Sequence, residues 1–412
     1  MFLVMQSTAY QSSFGGLIAL AAGIGIGRFV YTPILPLMIQ QLGLSGSVAG
    51  LIAAANFLGY LLGALLAAWP NLPWSRRSWL LGSLALSAMT TAGMGVARTI
   101  APFLLLRFIG GGASAFVPVL ASAIVLESLA EARRPALSAV HFAGVGAGIT
   151  VSAITAAGLI RADQPWPTLW FVSGGLSLLA TIVVAPLLRR APTLPKQVGR
   201  GPRPPIDPAL LRLIAAYGLF GFGYVITATF IVAIVHGTPS IRALEPTVWI
   251  IFGLAAIPSV ALWTRIATYL GIPATFAVAC TIEACGVLAS VVGPTIISTF
   301  LATILVGGTF MGLTALGLIR ARTLAGGDLR RVLALMTASF GLGQIIGPIF
   351  AGALSDRLGS FAVPSGVAAL ALVLAAALAH PPSGSAGVGH PRNPATRLCP
   401  HQFRGAKVGR AG

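Results

Sequence analysis

Few side chains in this sequence can do chemistry, and those that can lie where charge is costly. Arg28 sits in the string Gly23-Ile24-Gly25-Ile26-Gly27-Arg28-Phe29-Val30-Tyr31-Thr32-Pro33-Ile34-Leu35-Pro36, inside an apolar run from about residue 13 to 40. An arginine in the middle of such a segment costs at least ~2.5 kcal/mol, so it persists where it faces a bundle interior or a wet cavity. A cation placed there can bind an anionic solute. Tyr31, three residues on and close to the same helical face, would set a phenol beside the guanidinium, which suits a carboxylate. The competing reading makes Arg28 a structural donor to carbonyls freed by Pro33 and Pro36. Arg107, the second arginine within an apolar segment, reads by itself as a donor to loop carbonyls. Asn56 and Gln344 are lone polar groups on apolar segments. They either line a cavity or bond helix to helix, a role worth about 0.6–2 kcal/mol in a membrane. Glu283 and His141 are the in-membrane groups that can change charge near neutral pH, which makes them candidates for carrying a proton.

Glu131, Arg133 and Arg134, with Asp328, Arg330 and Arg331, fall in short polar gaps. They can form a cytoplasmic gate that breaks and reforms, or they are solvated pairs of little energetic consequence. No catalytic constellation exists: there is no Gly-x-Ser-x-Gly, no His-Glu-x-x-His and no phosphate loop. An enzyme is therefore not expected, nor a cofactor, nor transport powered by ATP hydrolysis within this chain. Cys280, Cys285 and Cys399 have no metal-ligand spacing.

These residues need elements to hold them, and composition says which. The chain has 412 residues, 56% hydrophobic and only 8% charged, with 50 glycines and a formal net charge of +18. Soluble domains carry about 25% charged residues, so a polytopic membrane protein in a lipid bilayer is implied. The glycines suit close helix packing in lipid. Apolar segments long enough to cross a core of ~30 Å fall at about 13–40, 46–69, 78–97, 99–128, 135–160 and 167–188. Six more fall at about 209–236, 246–266, 272–293, 294–320, 331–354 and 360–380. Residues 189–208, with Arg189, Arg190, Lys196, Arg200 and Arg203 among prolines, read as a cytoplasmic linker. Residues 381–412 read as a disordered basic tail. Residues 1–12 lack the basic start of a cleaved signal peptide, so the first helix is expected to be retained as a signal anchor.

With both termini cytoplasmic, 20 Lys and Arg fall on the inner side and 4 on the outer (Arg98, Arg161, Arg242 and Arg357), the asymmetry of the positive-inside rule. The basic residues are spent in loops, so nucleic acid is not an expected partner. An internal repeat is also present. Glu131, Arg133, Arg134, Gly144 and Gly146 recur 197 residues later as Asp328, Arg330, Arg331, Gly341 and Gly343. At an offset of 196, Gly111 and Gly112 match Gly307 and Gly308, and Gly25 and Gly27 match Gly221 and Gly223. Two six-span repeats point to a transporter with its site at the midplane between the halves. The same offset sets Tyr224 opposite Arg28 as a second wall of that cavity.

At the level of motifs the chain resembles the major facilitator superfamily as far as about residue 380. Arg107-Phe-Ile-Gly-Gly111-Gly-Ala-Ser-Ala115 resembles its Arg-x-x-x-Gly signature, and Gly347-Pro348-Ile-Phe-Ala-Gly352 its Gly-Pro-x-x-Gly-Gly signature. The string Gly-Arg-Phe-x-Tyr-Thr-Pro-x-Leu-Pro around Arg28 is similar to the opening of the bacterial YbfB/YjiJ transporters. The loop Trp69-Pro-Asn71-Leu-Pro-Trp-Ser-Arg76-Arg77 lacks the aspartate usual after the second helix, and helix five lacks the antiporter proline. The resemblance implies an all-α membrane protein of twelve transmembrane helices in two pseudo-symmetric six-helix bundles, residues 1–188 and 209–380. It implies alternating access and a proton-coupling role for Arg107. The combined expectation is a monomeric, proton-coupled secondary transporter of a small organic solute, with an anion favoured, in a bacterial inner membrane. Arg28, Tyr31, Tyr224, Asn56 and Gln344 would bind substrate. Arg107, Glu283 and His141 would serve proton coupling. An efflux antiporter for drugs or metabolites, and a membrane sensor that transports nothing, stay open as alternatives.

Overall fold

The helix that carries Arg28 is not continuous. In the computed structural model, which describes residues 2–69, 73–188, 207–326 and 328–380, α1 (Phe2–Leu20) passes into a wide π turn, Ala21–Ile26, then an irregular turn, and restarts as α2 (Tyr31–Leu42). The sequence places the break at Pro33 and Pro36, but it lies earlier. Pro33 falls in the first turn of α2, where a missing N–H costs nothing. The wide turn is seen in the bonds Gly27 N to Ala22 O (2.9 Å) and Phe29 N to Ile24 O (3.3 Å), each reaching back five residues.

The remaining helices are α3 (Gly46–Ala67), α4 (Arg76–Gly93), α5 (Ile100–Glu131), α6 (Ser138–Arg161) and α7 (Trp166–Leu187). Then follow α8 (Pro208–Gly237), α9 (Glu245–Ala256), α10 (Ser259–Leu270), α11 (Ile272–Ala289), α12 (Ile296–Thr323), α13 (Leu329–Leu358) and α14 (Ala362–Ala379). Short polar residues start several of them. Ser45 and Ser75 accept from Val48 N and Ser78 N, and Thr295 with Ser298 forms a reciprocal capping box. Gly43 (φ 66°) and Gly359 (φ 64°) end α2 and α13 in the left-handed conformation. Of the expected linker only Asp207 and Pro208 are described, where Asp207 caps α8. The expected tail at 381–412 lies outside the described residues.

Among the described residues, ten helices are long and apolar enough to cross a membrane, and an eleventh crossing is made if α9 and α10 count as one. The segment expected as a continuous helix over 246–266 is instead bent by 45° between these two. Pro258 cannot donate to the preceding turn, and the Leu254 carbonyl is taken by Ile257 N. The fourth helix, rich in Ser and Thr, is less apolar but has 18 residues and packs between α5 and α7. Leucines, isoleucines and valines such as Ile182, Leu105 and Leu374 stand exposed around the outside, as lipid-facing positions require.

Helices α1 to α7 pack mainly with one another, as do α8 to α14, and the two sets meet through α3–α13, α6–α9 and α2–α8. The repeat maps α3 onto α9 and α6 onto α13, so the first two contacts are one contact made twice. The hydrogen bond from Thr32 Oγ1 to Ala228 O (2.8 Å) joins residues 196 apart, the repeat offset, and so lies on the axis relating the sets. Close approach depends on glycine. A Cβ on Gly59 of α3 would lie 1.9 Å from the Phe108 carbonyl oxygen, and one on Gly111 2.0 Å from that of Asn56. Both obstacles are backbone and cannot swing away. Gly59→Leu is therefore expected to cost about 3 kcal/mol or more by forcing α3 off α5, read as a large drop in melting temperature in detergent.

Candidate substrate site between the two helix sets

The break in the first helix turns the Arg28 side chain toward α3, where it is 5% exposed. Its guanidinium carbon lies 4.2 Å from the Tyr60 ring centroid, 4.8 Å from that of Phe57 and 5.4 Å from that of Phe29. No described carboxylate pairs with it, and Nε and Nη2 make no hydrogen bond among the described residues. Cation–π contact is worth about 2 kcal/mol in a dry site, well short of what a buried charge loses in leaving water. Arg28 is thus a buried cation with no counter-ion among the described residues.

Across from it stands Tyr224 of α8, with Arg28 and Tyr60 both within electrostatic reach. Its ring lies nearly parallel to Phe310 (5.7 Å, 12°) and Phe340 (5.8 Å, 9°). Gln344 Nε2 of α13 donates to the Tyr224 hydroxyl, which leaves Gln344 Oε1 buried without a partner. The third phenol, Tyr217, sits two turns before Tyr224 and donates to Thr314 O (3.2 Å). Glu283 of α11 is fully buried and also acts on Tyr224. Thr309 of α12 faces this carboxyl, but its hydroxyl donates to Leu305 O (2.7 Å), and no described residue hydrogen-bonds either Glu283 oxygen. A buried guanidinium and a buried carboxyl, neither with a partner among the described residues, therefore lie within electrostatic reach of one phenol, one from each helix set.

The other arginine has a different task. Arg107 of α5 donates through Nη1 to Gly27 O (3.3 Å) and through Nη2 to Arg28 O (3.1 Å). These are carbonyls that the irregular turn leaves without helical partners, so Arg107 closes the break. Tyr31 lies beneath it, with the guanidinium 5.2 Å from its ring, while its hydroxyl donates to Ala49 O (2.9 Å). The turn thus separates Tyr31 from the surroundings of Arg28 that a continuous helix would have shared. Asn56 Nδ2 donates to Arg107 O (3.0 Å) and links α3 to α5. His141 is buried between α5 and α1, with Nε2 2.9 Å from Ser122 Oγ and Nδ1 against Gly16, away from the Tyr224 cluster.

The polar-gap residues do not form the expected pairs. Glu131 and Asp328 make no ion pair among the described residues. Asp328 instead accepts from Arg331 N (3.1 Å) and caps α13, and the nearby Glu127 pairs with Arg76 (2.6 Å). Contacts across the two sets are tight at the opposite end. Asp356, at the end of α13, accepts from Gly46 N (2.7 Å), Ser47 N (2.8 Å) and Ser47 Oγ (2.5 Å) at the start of α3. A carboxylate thus caps the positive end of a helix in the other set.

Likeness to known proteins agrees with this geometry. The pattern described as "Uncharacterised MFS-type transporter YbfB" matches residues 20–380. The chain belongs to this family. It is a multi-pass membrane transporter of the MFS type. The uncharacterized MFS-type transporter YceJ of Bacillus subtilis (strain 168) is 27% identical over 174 residues, 40% of this chain and 42% of that relative. The match spans less than half the relative's length. Among solved structures, the nucleoside transporter NupG superposes with TM-scores of 0.71 in a mutant form and 0.67 otherwise, at 15% and 16% identity. Each alignment covers 90% of this chain and 98% of NupG. A bacterial homolog of the human lysosomal transporter Spinster, inward-facing and unoccupied, superposes with a TM-score of 0.64 at 14% identity, covering 91% of this chain and 96% of that one. At such identities the likeness shows the fold alone.

For this member of the YbfB family, the site contains residues that the sequence did not single out. Tyr60 lies one turn after Asn56 and Tyr217 two turns before Tyr224, so helical spacing alone could have found both. Asp356 carries no such signal, because its partners are two backbone amides and an uncharged serine hydroxyl some 309 residues away. If Asp356 holds this end shut, Asp356→Asn opens it more often. Ala157, beside a cavity of about 160 Å³ between α6 and α9, provides the readout. In a Cys285- and Cys399-free background, Ala157→Cys should react with maleimide several-fold faster when Asp356 is also Asn.

Proposed function

We propose that the chain is a secondary transporter that carries a small organic anion by alternating access, with Arg28 as the anion site and Tyr60, Tyr224 and Gln344 completing it. The observation that carries this reading is the buried Arg28 guanidinium without a counter-ion, at a break in a helix and between two repeats. A charge held there without a partner is retained for a ligand. Tyr31, Asn56 and Arg107 build the shell behind it. Counting α4 and the bent α9–α10 pair gives twelve crossings, six in each of two bundles. The positive-inside asymmetry then places both termini in the cytoplasm of a bacterial inner membrane and the Asp356 contact on the outer side. The conformation is closed outward, and the basic gaps around Arg133 and Arg330 lie on the inner side, where the pairs of an inner gate would form in the other state.

Proton coupling is assigned to Glu283. The titratable groups that face it are Cys280 on its own helix and Tyr224 of α8. Neighbouring α14 carries no titratable residue, and the arginines of α12 lie in its last turn. A lone carboxyl there is neutral when protonated and, through Tyr224, repays its charge near Arg28 when not. Anion and proton then travel together with little net buried charge. Proteoliposomes loaded with a pH dye test this. Adding a transported carboxylate outside acidifies the lumen with the wild type, and Glu283→Gln exchanges the anion without the pH change. Flux of cations or neutral solutes only, with Arg28→Gln as active as wild type, would overturn the assignment.

A further inference from the structure

We infer that the anion carried at Arg28 is a planar monocarboxylate of delocalised charge that also bears a hydrogen-bond donor; this rests on the reading of Arg28 as the anion site. The two fully buried nitrogens without partners are Nε and Nη2, which share one edge of the guanidinium. That edge presents two parallel N–H groups, the arrangement that receives both oxygens of one carboxylate. It offers nothing for a second charge. The other buried arginine already gives Nη1 and Nη2 to Gly27 O and Arg28 O, which leaves it one unpartnered N–H at Nε and no free two-donor edge. A dicarboxylate or phosphate dianion would leave one charge dehydrated and unmatched.

The surroundings select the body of the ligand. Arg28 is caged by Tyr60, Phe57 and Phe29, and the facing wall is the near-parallel stack of Phe310, Tyr224 and Phe340. Such walls replace few of the water contacts an anion gives up, so an anion that is weakly hydrated loses least. A flat ring gains offset stacking as well. Within the cage Tyr60 is the half-buried ring while Phe57 and Phe29 are buried, and it faces the phenols of the opposite set. Tyr60 is the ring that yields to let a carboxylate reach the free edge. The last unmet group is an acceptor. Gln344 gives its Nε2 hydrogen to Tyr224 and keeps a buried, unpartnered Oε1, which asks for an O–H or N–H on the ligand.

Calorimetric binding to the purified full-length protein tests this with defined probes: 4-hydroxybenzoate, benzoate, cyclohexanecarboxylate, phthalate, 4-hydroxybenzamide and inorganic phosphate. The expected order is 4-hydroxybenzoate tighter than benzoate and benzoate tighter than cyclohexanecarboxylate. The amide, phthalate and phosphate should be weaker than benzoate by about tenfold or more. Arg28→Gln should abolish carboxylate binding, and Gln344→Leu should shrink the advantage of 4-hydroxybenzoate over benzoate. If cyclohexanecarboxylate matches benzoate, or phthalate or phosphate binds more tightly, and Arg28→Gln removes that binding, the ligand class is wrong while the anion site stands. If no anion binds, or Arg28→Gln binds them as the wild type does, the anion site itself falls.

Discussion

Arg107→Gln is expected to destabilise the protein by about 2–4 kcal/mol, the loss of two charge-assisted hydrogen bonds that leaves buried carbonyls bare. The effect should be local to the first helix. Gly27 O and Arg28 O would lose their donors, and the Tyr31 ring would lose the cation above it. Arg107→Lys should recover only part of the loss, because one ammonium cannot reproduce the planar fork that spans both carbonyls. Thermal melting in detergent reads the effect, and amide exchange over residues 21–31 should show faster opening. A variant that melts like the wild type would mean that the break is held by α4, α5 and α6 packing against its glycines alone.

Arg28→Gln is expected to do the reverse. The guanidinium satisfies no described backbone group and pairs with no described carboxylate, so its removal relieves a buried charge. Melting temperature should hold or rise. Anion transport should fall by about a hundredfold, the equivalent of roughly 3 kcal/mol for a bidentate charged contact. Two arginines of one bundle, 79 residues apart and both nearly fully buried, thus separate into a structural and a functional group by opposite responses to one substitution. A loss of stability without loss of transport in Arg28→Gln would exchange their roles.

This exchange is also where reading from sequence stops. Hydropathy located the apolar segments because a lipid environment leaves little choice of element, and the repeat offset anticipated that Arg28 and Tyr224 would face each other. The donor to the freed carbonyls is Arg107 rather than Arg28, because the π turn at Ala21–Ile26 rotates the chain before the prolines are reached. Nothing in the apolar pattern marks a one-residue widening of a helix. The bend at Pro258 was similarly hidden, since a proline inside an apolar run can sit in a kinked helix as well as between two. The pairs expected among Glu131, Arg133, Arg134, Asp328, Arg330 and Arg331 do not form among the described residues, because Asp328 accepts from Arg331 N as the cap of α13, and spacing alone does not tell a cap from an ion pair. A contact that does join the sets, Asp356 on Gly46 and Ser47, uses two backbone amides and one serine hydroxyl and therefore leaves no complementary charge to find.

Carboxylate counterflow in proteoliposomes tests the central claim most directly, with wild type and Arg28→Gln reconstituted at equal density. Vesicles preloaded with an unlabelled monocarboxylate should draw in the labelled compound through the wild type well above protein-free vesicles. Through Arg28→Gln they should do so at the protein-free level. Equal counterflow through both proteins would contradict the account.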